Sequence, residues 1–297
     1  MNIIKYRNYF FTLSLAVIIP GIIALFLWHL KLGIDFSGGT LWEVKLEDQS
    51  QTEASQFQQF LQTNGWETSS VVKTSQAALL IRLRETNEQK IQNLRDQVKN
   101  TYGSTQDLRL ETVGPTISKE LTNKAFAAVG ISILGILLYI TWAFRKIPKP
   151  ASSISFGVCT IVALVHDVIV VVGIFAILGH FFNIEIDSLF ITALLTVIGF
   201  SVHDTIVVFD RIRENLIKHP ANKFEEVINH SLAQTLGRSL NTSLTAIFVL
   251  FALYLFGGQS IKIFTLALLI GIISGTYSSI FNAAPLLVVW HQISKRK

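Results

Sequence analysis

Charge is what this sequence has least of. Only 15% of its 297 residues are Asp, Glu, Lys or Arg, where a soluble domain carries about 25%. Most of the chain is thereby excluded from being an ordinary water-facing domain. Cysteine is scarcer still. Cys159 stands alone, so there is no intrachain disulfide and no cysteine metal cluster. The shortage of charge is uneven. Residues 31–124 are polar and mixed, whereas 125–144, 155–179, 189–209, 239–256 and 263–290 hold almost no charge. Each of these is near or above the ~20 residues that cross a bilayer core. Residues 9–30, "YFFTLSLAVIIPGIIALFLWHL", make a sixth apolar run. The expectation is an α-helical polytopic membrane protein with six transmembrane helices and one polar insert between helices 1 and 2.

An uncleaved first helix is expected rather than a cleavable leader. Lys5 and Arg7 supply a basic start, but the apolar stretch of about 22 residues exceeds the 7–15 of a signal peptide and no small-x-small site follows it. The net charge of +5 does not imply nucleic acid, because the basic residues cluster beside the spans as the positive-inside rule requires. Lys5 and Arg7 precede span 1, Arg145, Lys146 and Lys149 follow span 2, and Arg211, Arg213, Lys218, Lys223 and Arg238 lie between spans 4 and 5. Lys295, Arg296 and Lys297 end the chain, while the loop 180–188 has no Lys or Arg and 257–262 only Lys262. Residues 1–8 and the tail 291–297 are thus expected in the cytoplasm and 31–124 outside.

The polar insert alternates in period. Residues 40–46, 67–74, 77–84 and 106–113 read as strands. Residues 52–65 place Phe57, Phe60 and Leu61 on one helical face, with Thr52 as N-cap and Gly65 as stop. Residues 87–103 do the same with Ile91, Leu94 and Val98, Asn87 capping and Gly103 stopping. The order is βαββαβ, the α+β ferredoxin-like motif. The insert has no His, no Cys and no glycine-rich phosphate loop between 39 and 113, so a docking role is expected rather than a catalytic one.

Five polar groups interrupt the spans: His166 and Asp167 in span 3, His203 and Asp204 in span 4, and Arg238 at the entrance of span 5. Ionisable residues inside a membrane are costly and functional by default. Each also has a plain structural reading. A histidine can bond a neighbouring helix, His166 and Asp167 can satisfy each other, and Arg238 can snorkel to the interface. Asn241, Thr242, Ser243 and Thr245 extend a polar stripe along span 5. At 1.5 Å per residue Asp204 lies about 9 Å deep and Asp167 about 16 Å. That offset disfavours one metal site shared by both pairs and suits proton-exchanging groups at successive depths. "VHDVIVVV" and "VHDTIVVF" look alike but lie on oppositely directed spans, so they are not a tandem repeat. Gly271 and Gly275 form a small-xxx-small pair, expected as a helix contact face. Gly38 and Gly39 are expected to make a turn before the first strand.

Several stretches together resemble one family: "GIDFSGGT" (33–40, with Gly33, Asp35, Gly38 and Gly39), "VGPTISKEL" (113–121, with Gly114 and Pro115), "ALVHD" in span 3, "VIGFSVHDTIVVFDRIREN" (197–215) and "SLAQTLGRSLNTSLT" (231–245). They resemble the SecF family, part of the RND superfamily, over essentially the whole chain. The resemblance implies an accessory subunit of the bacterial Sec translocase. With SecD, it would use the proton-motive force to draw unfolded preproteins outward in the cytoplasmic membrane, beside the SecYEG channel and with YajC and YidC as neighbours. Protons would be the coupling ion, with no cofactor, no metal and no bond-breaking chemistry. The family's proton-linked aspartate falls on Asp204 and its essential arginine on Arg238. His203 stands where the family usually has Asn. The alternatives are a divalent-metal or small-solute transporter using His166, Asp167, His203 and Asp204, and an intramembrane aspartyl protease using the two aspartates, although neither lies in a G-x-G-D motif.

Overall fold

The structure, a computed structural model, describes residues 2–46, 53–74 and 78–295. It divides into two units, one of residues up to Lys31 and from Phe126 onward, the other Leu32–Ala125. Six helices are long and apolar enough to cross a membrane. They are α1 (Arg7–Trp28), α5 (Pro115–Ala143), α6 (Ser153–Phe182), α7 (Ser188–Lys218), α8 (Phe224–Phe256) and the pair α9 (Gln259–Ser278) and α10 (Ala284–Ser294), which a π-helical turn, Ser279–Ala283, joins.

The starts of α6 and α7 follow side-chain caps rather than the edges of the apolar runs. Ser152 and Ser155 form a capping box that starts α6, and Asn183 ends it in the left-handed region at φ 55°. Asp187 accepts from the Phe190 amide at 2.9 Å and starts α7. Hydropathy marks bilayer and not helix, so α5 begins ten residues before the expected span, α7 runs on to Lys218, and α8 starts at Phe224. Arg238 therefore lies within α8, beside the start of the apolar run 239–256.

Within the helical unit α6, α7 and the α9–α10 rod are the most buried, and α1, α5 and α8 the least. Phe144, Phe156 and Phe209 stack at one end of the core, with ring centroids 4.6–6.2 Å apart. Two helix crossings depend on glycine. Gly173 of α6 lies against Gly21 of α1 so closely that a Cβ on Gly173 would stand 2.6 Å from the Gly21 Cα. A Cβ on Gly271 of α9 would fall 2.1 Å from a methyl of Val197 on α7, and one on Gly275 would stand 3.0 Å from the Ser201 Cβ. With no hydrophobic drive between helices in lipid, such close approach is what associates them. Gly271 and Gly275 are thus a contact face, as expected, and the contact is within the chain.

The smaller unit holds α2 (Ile34–Ser37), β1 (Gly39–Leu46), α3 (Ala54–Thr63), β2 (Thr68–Lys73), β3 (Leu79–Leu83), α4 (Glu88–Tyr102) and β4 (Thr105–Val113). All pairings are antiparallel, in the order β2-β3-β1-β4. Trp42, Val44, Leu79, Ile81 and Leu83 line one sheet face, and Phe57, Leu61, Ile91, Leu94 and Val98 from the two helices cover it. The period-2 and period-3.6 patterns meet in this core. Asn87 caps α4 by accepting from the Gln89 and Lys90 amides, and Gly103 ends it at φ 78°. The expected Thr52 cap lies outside the described residues. Gly38 and Gly39 both have positive φ, and a Cβ on Gly39 would stand 2.3 Å from the Leu83 carbonyl oxygen. Gly39 pairs with Val113, so the first and last strand residues of the sheet are neighbours.

Candidate functional site

The six membrane helices bury few charges, and the two aspartates among them are held differently. Asp167 on α6 is 1% exposed and accepts four hydrogen bonds. Ser274 and His166 Nδ1 reach Oδ1 at 2.7 and 3.0 Å, and Ser201 and Ser278 each reach Oδ2 at 2.6 Å. Ser201 belongs to α7, and Ser274 and Ser278 stand one turn apart on α9. A hydrogen bond to a charged group contributes about 1.5–3 kcal/mol, so this carboxylate ties α6 to both neighbours. His166 completes the cluster. Its ring lies 6.3 Å from that of Tyr277, and its Nε2 is buried with no partner among the described residues.

Asp204 on α7 is also buried, at 2% exposure, yet one hydrogen bond holds it. Ser243 of α8 donates to Oδ2 at 3.2 Å, and Thr276 of α9 donates to the Ser243 hydroxyl at 2.6 Å. No hydrogen bond joins Asp204 to Asp167. Ser201 and Asp204 are three residues apart on α7, an axial offset of about 4.5 Å, and the two carboxyls face different helices. A second rivet lies beside them. Thr205 and Ser279 are 3.0 Å apart, and Ser279 also donates to the Gly275 carbonyl. Ser279 opens the π-helical turn, a feature that gathers at functional sites. Within that turn Asn282 bonds Ser14 of α1.

Two of the five predicted groups stand apart. His203 and Arg238 are exposed on α7 and α8. Neither side chain has a hydrogen-bond or ion-pair partner among the described residues, and Arg238 does not touch Asp204. Of the polar stripe expected on α8, Ser243 alone is buried, while Asn241, Thr242 and Thr245 face outward with Arg238. Arg238 stands just before the apolar run 239–256, and the Thr242 and Thr245 hydroxyls donate to backbone carbonyls of their own helix. The serines that hold Asp167 went unrecognised in the sequence. Their available signal was the four-residue spacing of Ser274 and Ser278 in an apolar helix. Gly33, Asp35, Gly114 and Pro115 belong to the smaller unit, where Pro115 opens α5.

The model of the family described as protein export membrane protein SecD/SecF, C-terminal, matches residues 93–293. The chain belongs to the SecD/SecF family. Its relatives include the protein translocase subunit SecF of Thermobaculum terrenum, 50% identical over 98% of this chain and 94% of that one. The SecF of Anaerolinea thermophila is 42% identical over the same shares. SecDF of Bacillus subtilis is 36% identical over 96% of this chain and 37% of its own. Among solved structures, SecDF from Thermus thermophilus superposes with a TM-score of 0.85 at 33% identity, covering 98% of this chain and 39% of that one. SecDF in its super-membrane-facing form superposes at 0.71 and 32% identity over 100% and 39%. The chain therefore spans about two fifths of the fused SecDF proteins and nearly all of the separate SecF proteins. Family membership places it in Sec-dependent protein export, as an accessory membrane subunit of the translocase.

Proposed function

We propose that this chain is the SecF-type half of a SecD–SecF machine that uses the proton-motive force to promote export of unfolded preproteins through SecYEG, with YajC and YidC as further neighbours. Asp204 is the proton carrier, Arg238 its switchable counter-ion and His203 a modifier. The observation that carries the reading is the contrast between buried and exposed ionisable groups on α7 and α8. Asp204 is buried with a single donor, while Arg238 and His203 are exposed on α8 and α7 with no hydrogen-bond or ion-pair partner for their side chains among the described residues. A second, SecD-type half packed there would cover both. The fused relatives, more than twice as long as this chain, support such a half.

The remaining assignments follow from the same reading. The basic residues between spans support cytoplasmic termini and residues 31–124 outside, in a bacterial inner membrane. The strand order β2-β3-β1-β4, read backwards, supports a ferredoxin-like fold for the smaller unit, which serves as a docking element. One proton crossing 100 mV yields about 2.3 kcal/mol, so several are needed per cycle.

The test is the rate of gradient-dependent export in cells at matched membrane levels of three variants. Asp204→Asn keeps size and hydrogen bonding but cannot titrate, and is expected to insert, assemble and lose the gradient-driven component. Arg238→Lys keeps charge but loses the planar fork and is expected to be impaired. His203→Asn is expected to stay active. Normal gradient-driven export by Asp204→Asn refutes the carrier. Loss in His203→Asn with Asp204→Asn active transfers the role to the histidine.

A further inference from the structure

α8 turns Ser231, Thr235, Ser239 and Ser243 inward at every fourth residue, each at most 6% exposed. Three of the four hydroxyls are engaged. Ser231 and Thr235 donate to backbone carbonyls one turn back, at 2.8 and 3.0 Å, and Ser243 donates to Asp204. Ser239, at 2% exposure, has no partner for its hydroxyl among the described residues. A buried hydroxyl without a partner is a net cost to the fold, so stability gives no reason for a serine there. Its position does, because it lies one turn from the hydroxyl that touches Asp204.

We propose that Ser243 and Ser239 relay the proton between Asp204 and the Ser231 end of α8. The proposal rests on Asp204 as carrier and adds the path by which its proton leaves. Thr276 makes the relay reversible. Its single hydroxyl proton has two acceptors, the Ser243 oxygen at 2.6 Å and the Ile272 carbonyl at 2.8 Å. When Asp204 is ionised, Thr276 donates to Ser243 and Ser243 to the carboxylate. When Asp204 is protonated, the carboxyl donates to Ser243, Ser243 to Thr276, and Thr276 to Ile272. The Ser243 and Thr276 hydroxyls are satisfied in both states. In the transfer step the carboxyl O–H bond breaks as its proton joins the Ser243 oxygen. For this the Ser243 hydroxyl first turns from Thr276 towards Ser239, and its own proton leaves in that direction, so one proton enters, one leaves, and the hydroxyl is restored.

Ser243 and Ser239 are about 6 Å apart along the axis, a gap that one water bonded to both hydroxyls spans. The free hydroxyl of Ser239 is the group that would hold it. At the far end Ser231 accepts from the Asn215 amide at 2.9 Å, Asn215 donates to Gln234 at 2.8 Å, and Gln234 meets the exposed His230 at 2.8 Å. Eight residues, about 12 Å along the axis, separate Ser239 from this cluster, which marks the solvated end towards which the proton moves. The other charged groups nearby do not line the path. His166 and Asp167 on α6 are turned to the serine cluster, and His203 and Arg238 face outward.

The experiment uses the intact chain with its SecD-type partner in proteoliposomes, reading gradient-driven proton flux with an internal pH dye, thermal stability, and the infrared carboxyl stretch that Asp204→Asn removes. Ser243→Ala and Ser239→Ala are each expected to slow flux about tenfold, equivalent to one lost hydrogen bond in the transfer. Ser243→Thr, which keeps the hydroxyl, is expected to stay within about twofold of the parent. Ser239→Ala removes an orphan hydroxyl and is expected to melt no lower than the parent while conducting less, a split that a structural serine would not produce. Ser243→Ala alone is expected to shift the carboxyl stretch. Parental flux in both alanine variants overturns the relay, as does lost flux that tracks lowered stability with an unmoved band, or a threonine variant as slow as alanine. Asp204→Asn separates the levels. Flux retained there removes the carrier itself, whereas flux lost there with normal serine variants removes only the relay.

Discussion

Two carboxylates on adjacent helices, offset along the helix axis by about 4.5 Å, carry opposite hydrogen-bond loads. Asp167 accepts from three serines and a histidine, whereas Asp204 has Ser243. Replacing Asp167 by Ala leaves three buried serine hydroxyls to find new acceptors. It is expected to cost about 3–5 kcal/mol, the range for breaking a buried charge-paired network, read as a lower melting temperature in detergent. Asp204→Ala is expected to cost far less stability and far more export. Equal melting losses for the two would show that both are scaffolding. A charge in an apolar run is conspicuous, so both aspartates were legible in the sequence. Their partners were not, because serine is common in membrane helices and nothing in a single sequence tells which face it turns. Arg238 shows the same limit: its type was readable, while its outward direction depends on how α8 packs.

Elements were legible where local chemistry sets them. Asn87, Gly103 and the 3.6-residue period of Ile91, Leu94 and Val98 specified α4 to within a residue of each end. Asn87→Ala is expected to cost about 1 kcal/mol, read as faster hydrogen exchange along α4 and β3. Glu85, just before the cap, adds a pH term. The Lys90 ammonium first, and the Asn87 amide next, hold its carboxyl below the usual carboxylate value. A carboxyl lowered on folding contributes stability above its unfolded pKa, about 4.3, and loses it as pH falls through the folded value. The smaller unit is therefore expected to loosen below about pH 4, and Lys90→Met to remove part of that dependence when the same amides are followed against pH. Spans were legible as spans but not as helices. Solvated turns extend α5, α7 and α8 beyond the bilayer run, and apolarity does not report on a turn in water. The π-helical turn at Ser279–Ala283 had no local signal, since Ser279 is drawn out of α-helical register by contacts with α7.

At the scale of the whole molecule the orientation rests on basic residues alone. Reporter fusions are expected to place residue 80 outside and residues 147, 220 and 297 inside. A cytoplasmic signal at residue 80 would invert the assignment of the smaller unit and the direction in which protons run. The six spans and the inserted sheet were legible because hydropathy and strand alternation are whole-segment properties. The packing order of the helices was not, since it turns on single atoms such as the missing Cβ of Gly271 beside Val197.

The pairing of Gly39 with Val113 has a bearing on how such a gene can change. A chain that enters and leaves a folded unit at adjacent residues of one sheet treats that unit as a cassette. Material can be lengthened, trimmed or exchanged between those two points without altering the distance that the flanking helices must bridge. Changes of length between those two points are thus expected to be tolerated, provided that the glycine turn at Gly38 and Gly39 is kept.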